Sequence, residues 1–106
     1  MSKSKIVDLF TGDVRLWENG VPVIPLDLQV PKEVRKAFYK ALGKSSSRMR
    51  SIWMKRKLSG EGDAPSAVET EDEVLARVAS TPGSISFVRM SQARGSVKIL
   101  RVVDSP

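Results

Sequence analysis

The sequence has no cysteine and no histidine. The first absence rules out disulfides and thiolate chemistry. The second removes the usual neutral-pH general base and the commonest metal ligand. Carboxylates remain, but no pair of them is placed for acid–base work, so a non-enzymatic chain without metal or cofactor is expected. No apolar run approaches the ~20 residues of a membrane span. The start, Met1-Ser2-Lys3-Ser4-Lys5, is basic, but Ile6–Phe10 is too short and too polar for a signal-peptide core. As written, the chain therefore reads as one that is not exported.

What is present fits one folded domain over residues 1–106. A chain of this size buries roughly 65% of the surface it would expose unfolded. Hydrophobic residues make up 41% of it, enough for a core and too many for disorder. The net charge of +6 is uneven: residues 1–58 hold thirteen Lys/Arg against five Asp/Glu, and residues 59–106 hold five against seven. A basic first half suits an anionic partner or simply a solvated surface.

Along the chain, Ile6, Leu9 and Phe10 recur at helical spacing, predicting a helix over 4–10 with Ser4 as cap and Gly12 as stop. Asn19-Gly20 signals a turn, and Trp17 reads as a buried anchor. Val21–Leu26 reads as a strand, and its two prolines point to a short or edge position. Pro31 opens a second helix, with Val34, Ala37, Phe38, Ala41 and Leu42 on one face and Gly43 as its end. A third helix spans Ser45 to Leu58, with Met49, Ile52 and Trp53 as its apolar stripe. Six cations lie between Lys44 and Lys57 with no acid among them, but they do not gather on one side of this helix. Residues 59–66 read as a loop. Thr70-Glu71-Asp72-Glu73 is a capping box for a fourth helix, with Val74, Leu75, Val78 and Ala79 facing inward. Thr81-Pro82-Gly83 ends that helix and starts a strand in which Ile85 and Phe87 alternate with Ser84 and Ser86. Gln92–Gly95 reads as a turn, Val97–Val103 as a last buried strand, and Asp104–Pro106 as its stop.

Three of these segments carry a family likeness. Val78-x-x-Thr81-Pro82-Gly83-Ser84-Ile85-x-Phe87-Val88 resembles a segment of the periplasmic phosphate-binding proteins, the substrate-binding components of ABC phosphate importers. The family prefers glycine at Ser86 and tyrosine at Phe87. Phe10-Thr11-Gly12-x-x-x-x-Trp17-x-Asn19-Gly20 is similar to another family segment, and the Trp53 helix with its Gly60-x-Gly62-x-x-Pro65 loop to a third. The match covers roughly residues 5–103, in consistent order. It implies an α/β fold, a single lobe of a type II periplasmic-binding-protein-like fold with a short mixed sheet flanked by helices. It also implies a periplasmic location and a role tied to phosphate uptake.

In the family, the matching lobe holds its anion with arginine-x-aspartate-glycine-serine-glycine-threonine between a strand and a helix. Here that region is Leu26-Asp27-Leu28-Gln29-Val30-Pro31-Lys32, without the arginine, glycines, serine or threonine. Pro31 removes an amide, and Val30 has no hydroxyl with which to cap. The candidate anion-binding residues left at the helix start are Asp27, Gln29, Lys32 and Arg35. The expected partners are phosphate or another oxyanion, or a protein or second copy docked on the face that a missing lobe would cover. Nucleic-acid contact through residues 32–57 is the alternative; the scattered charge and the lack of a nucleic-acid motif weigh against it.

Overall fold

The computed structural model of the chain describes residues 2–89 and the strand at 97–101. The expected turn at Gln92–Gly95, the strand end at Val102–Val103 and the stop at Asp104–Pro106 lie outside the described residues. The elements run α1 Lys3–Thr11, β1 Ile24–Leu28, α2 Lys32–Ala41, α3 Ser46–Leu58, β2 Ser66–Val68, α4 Glu71–Ser80, β3 Ser84–Arg89 and β4 Val97–Arg101. The described residues form a small α/β fold of four helices and a four-stranded sheet ordered β2-β1-β3-β4. The first three strands are parallel, and β4 is antiparallel to β3.

Helix ends follow the local chemistry. Ser2, not Ser4, caps α1, accepting from the Lys5 amide at 3.1 Å, and Gly12 ends it at φ 87°. Ser45 caps α3 through the Arg48 amide at 3.1 Å. Thr70 caps α4 through the Glu73 amide at 3.3 Å. No bond runs back from the Glu73 carboxylate to Thr70 among the described residues; instead Glu71 accepts from the Arg89 amide at 2.5 Å, tying the start of α4 to the end of β3. Pro31 is the cap residue of α2 rather than its first turn, and the Val30–Pro31 bond is cis.

Two strand expectations are corrected. Val21–Val23 is not the start of β1 but the return arm of a small turn. Trp17 N–H donates to the Val21 carbonyl at 2.8 Å and Val23 N–H to the Arg15 carbonyl at 2.9 Å, around Asn19-Gly20. The strand that follows lies inside the sheet, not at its edge. Pro25 is tolerated there because of register. Ile24 N–H points to β3, bonding the Gly83 carbonyl at 2.9 Å, so the next nitrogen points to the other side, where pairing with β2 begins only at Leu26. The second correction is β2, a three-residue strand that starts at Ser66, the last residue read as loop, and continues through Ala67 and Val68, where no element is expected.

The connections put helices on both faces. β1 reaches β2 through α2 and α3; β2 crosses back over β1 to β3 through α4. Right-handed crossovers in opposite directions place these helices on opposite sides. Period two then assigns the side chains. Ile85 and Phe87 face α1–α3, where Phe38 stacks on Phe87 at 3.9 Å between centroids and Phe10 meets Phe38 edge-on at 4.9 Å. Ser84 and Ser86 face α4 and are buried too. Ser86 Oγ donates to the Leu26 carbonyl at 2.8 Å and Ser84 Oγ to the Thr81 carbonyl at 2.6 Å. On α4 only Val74 and Val78 are buried; Leu75 is half exposed and Ala79 exposed, because the contact line is narrow. On α2, Val34, Phe38 and Leu42 are buried as the spacing predicts, Ala41 is exposed, and Tyr39 is buried off the predicted face.

Candidate functional site

Asp27 sits on β1 between two core leucines and is itself only 5% exposed. A buried carboxylate is costly unless paired and hydrogen-bonded. The partners come from α2, where Arg35 and Tyr39 are one turn apart and so project together. Arg35 Nε donates to Oδ1 at 3.0 Å and Oδ2 at 3.2 Å, and Nη2 to Oδ2 at 3.0 Å. Tyr39 Oη donates to Oδ1 at 2.8 Å. The guanidinium also lies 5.1 Å from the Tyr39 ring centroid, within cation–π range. Burial opposes the charge on Arg35, yet its hydrogen bonds and attraction to Asp27 hold its pKa above the ordinary value. Burial, reinforced by Asp27, pushes the Tyr39 phenol well above its usual range.

This cluster closes the start of α2 onto β1. Of the four predicted anion-binding residues, the structure brings Asp27 and Arg35 together as an ion pair. Gln29 turns back, its Nε2 donating to the Asp27 carbonyl at 2.8 Å. Lys32 is exposed at the first position of α2. Arg35 Nη1 makes no hydrogen bond among the described residues, so one edge of the guanidinium stays available to an outside acceptor. Tyr39 is the member that the sequence reading missed; its position four residues after Arg35 is the signal that could have found it. Neither the raised phenol nor the paired arginine exchanges protons near neutrality. Among the described residues, no group of three or more His, Cys, Asp or Glu could hold a metal ion.

At the amino end of the sheet lies a cavity of about 360 Å³, floored by Phe10, Pro25 and Trp53 and rimmed by Arg15, Arg56 and Asp63. Its shape depends on Gly12, whose missing side chain leaves room for Arg56: a Cβ there would lie 3.3 Å from Arg56 Cδ. Arg56 bridges Asp13 and reaches Glu61 at 3.5 Å. The Ser59 hydroxyl, joined by Arg56 and Arg15, holds the exposed Glu61 carboxyl below its usual range. Trp53 Nε1 donates to the Phe10 carbonyl at 2.9 Å, pinning α3 to α1.

The Trp17 segment and the Thr81-Pro82-Gly83 turn meet at another point. Trp17 Nε1 donates to the Gly83 carbonyl at 2.8 Å, across 66 residues of sequence. The same carbonyl accepts the Ile24 amide. Gly83 has φ 85°, and a Cβ there would stand 2.3 Å from the Pro22 carbonyl oxygen. Both the backbone angle and the contact demand glycine. The Thr-Pro-Gly turn is thus locked against the Trp17 segment by hydrogen bonding and close approach.

Comparison with protein-family models, with curated proteins and with solved structures finds no match.

Proposed function

We propose that the chain is a non-enzymatic binding or interaction domain built on one lobe of a phosphate-binding-protein-like scaffold, with weak or no affinity for free phosphate. The observation that carries this reading is the lock between Trp17 and Gly83. Residues shared with the family in two distant segments meet in three dimensions, and what they do there is hold the fold. This contact supports reading those two segments as parts of a scaffold rather than of a ligand site. The ligand-bearing segment is the part that differs. Where the family presents hydroxyls and glycine amides to an anion, this chain places a buried Asp27–Arg35–Tyr39 cluster and a proline. An arginine whose charge Asp27 already balances offers a further anion little net attraction, which leaves the outer edge of Arg35 and the exposed Lys32 to attract one.

A phosphate titration followed by backbone amide NMR tests this. Shifts at residues 27–36 are expected to be absent, or to saturate only in the millimolar range and to fade with added salt. Micromolar affinity with salt-resistant shifts confined to 27–36 would show an anion site rebuilt from other groups and sink the reading.

A further inference from the structure

Residues 32–57 carry ten Lys/Arg against one acid, and the structure shows where this charge is ordered. The cations of α3 scatter around the helix. On α2 they do not: Lys32, Lys36 and Lys40 recur every fourth residue, about 6 Å apart along the axis, and all three are exposed. The other side of α2 is committed, with Val34, Phe38 and Tyr39 buried and Arg35 paired to Asp27. Beyond the helix, Gly43 at φ 77° reverses the chain. Lys44 then returns to the same side, and Lys36, Lys40 and Lys44 line a shallow hollow of about 540 Å³ with Ser45 and Ser46. Lys3 of α1 joins the rim, its Nζ 3.7 Å from where a Gly43 Cβ would stand. None of these five lysines takes part in an ion pair among the described residues; the pairs there use Arg35 and Arg56. Glu33, three residues before Lys36, is the single acid on α2.

We propose that this lysine face docks the phosphate backbone of duplex nucleic acid, independently of sequence. Lysine is a point-charge binder of phosphate. Among the described residues no Asn, Gln, Arg or aromatic side chain lines the hollow, so it has no fork to read base edges and no ring for unpaired bases to stack on, and it senses the charge of a backbone. A membrane surface would call for large apolar side chains beside the lysines, and those of α2 are in the core. A protein interface is usually depleted in lysine and anchored by aromatics, and none lines the hollow. This inference is independent of the lobe reading above: duplex binding and the lack of a phosphate site can each hold without the other.

The test is fluorescence anisotropy with a labelled duplex of about 20 base pairs, titrated between about 50 and 200 mM salt. Four lysines on phosphates predict a slope of log K against log salt of about −3 to −4. The variant K36Q/K40Q is expected to weaken binding at least about tenfold at low salt and to flatten the slope by about 2. E33Q is expected to tighten binding, a gain that damage to the fold does not produce. K55Q/K57Q, at the end of α3, serves as the distant control and should cost less than half as much. Several results would overturn the proposal: no binding at the lowest salt, a slope near zero, equal losses in the control and K36Q/K40Q, or a loss in E33Q. So would binding to phosphatidylserine vesicles as tight as to the duplex, which would assign the face to a lipid surface instead.

Discussion

Gly83 has less freedom than any other described glycine. Gly20 has nearly the same backbone angle, φ 84° against 85°, but nothing lies within 4 Å of a Cβ there, whereas at Gly83 the Pro22 carbonyl oxygen would be 2.3 Å away. Gly20→Ala should therefore cost about 1 kcal/mol, the left-handed penalty alone. Gly83→Ala should cost at least about 3 kcal/mol, because the clash displaces the carbonyl that Trp17 and Ile24 share. Urea denaturation of the two variants checks the difference; equal costs would mean that the turn yields easily. At the other end of β1, Asp27→Asn should cost about 3 kcal/mol by leaving Arg35 without its counter-charge. A loss under about 1 kcal/mol in the same assay would rank the pair with surface ion pairs. Tyr39, the single tyrosine, gives the pH dependence. An unfolded phenol titrates near 10, and the folded one above that, so the unfolded chain loses this proton first. The stability from this group is complete below about pH 10 and falls above it by about 1.4 kcal/mol per pH unit. Phenolate absorbance should appear only together with unfolding; a free titration near pH 10 in the folded protein would contradict the buried phenol.

Helices were legible from the sequence because their signals are local. Ser45 and Thr70 cap where hydroxyls precede a periodic run, and Gly12 and Gly43 stop their helices through left-handed turns. Thr70→Ala should accordingly cost about 1 kcal/mol, read as a shift of the urea midpoint; no shift would mean that the Glu71 bond to Arg89 alone sets the start of α4. Strands were harder. β2 has three residues, too few for a period, and exists because Leu26–Leu28 offers it a parallel partner. The interior place of β1 was hidden by its prolines, since whether a missing amide matters depends on a neighbour 40 residues away. The alternation of Ser84 and Ser86 with Ile85 and Phe87 does not tell that both faces of β3 are buried, which takes a second layer of helix. The site was half legible for the same reason: Asp27 and Arg35 stand out singly, but their pairing with each other and with Tyr39 needs the strand-to-helix turn. On α2 the lysine stripe was readable from spacing alone and was overshadowed by the denser, disordered charge of α3.

At the scale of the molecule, the two tryptophans report on different joints of one core. Trp17 clamps the turn before β3, and Trp53 clamps α3 to α1. Fluorescence and far-UV circular dichroism should therefore follow a single denaturation curve. Separate midpoints for Trp17→Phe and Trp53→Phe followed by the two probes would show that the halves come apart on their own. The surface is divided in a comparable way, with a lysine face on α2 and acids in the first turn of α4. This division gives the domain a strong charge asymmetry for any anionic surface it approaches.

The strand order also has a consequence for truncated chains. β1 is made early, yet both of its neighbours come from beyond residue 65. A chain cut after Ser80 would lack β3, which leaves one side of β1 without its partner, the Phe10–Phe38 pair without Phe87, and Trp17 and Ile24 without the Gly83 carbonyl. Such a fragment is expected to expose apolar surface and to aggregate rather than to form a smaller domain.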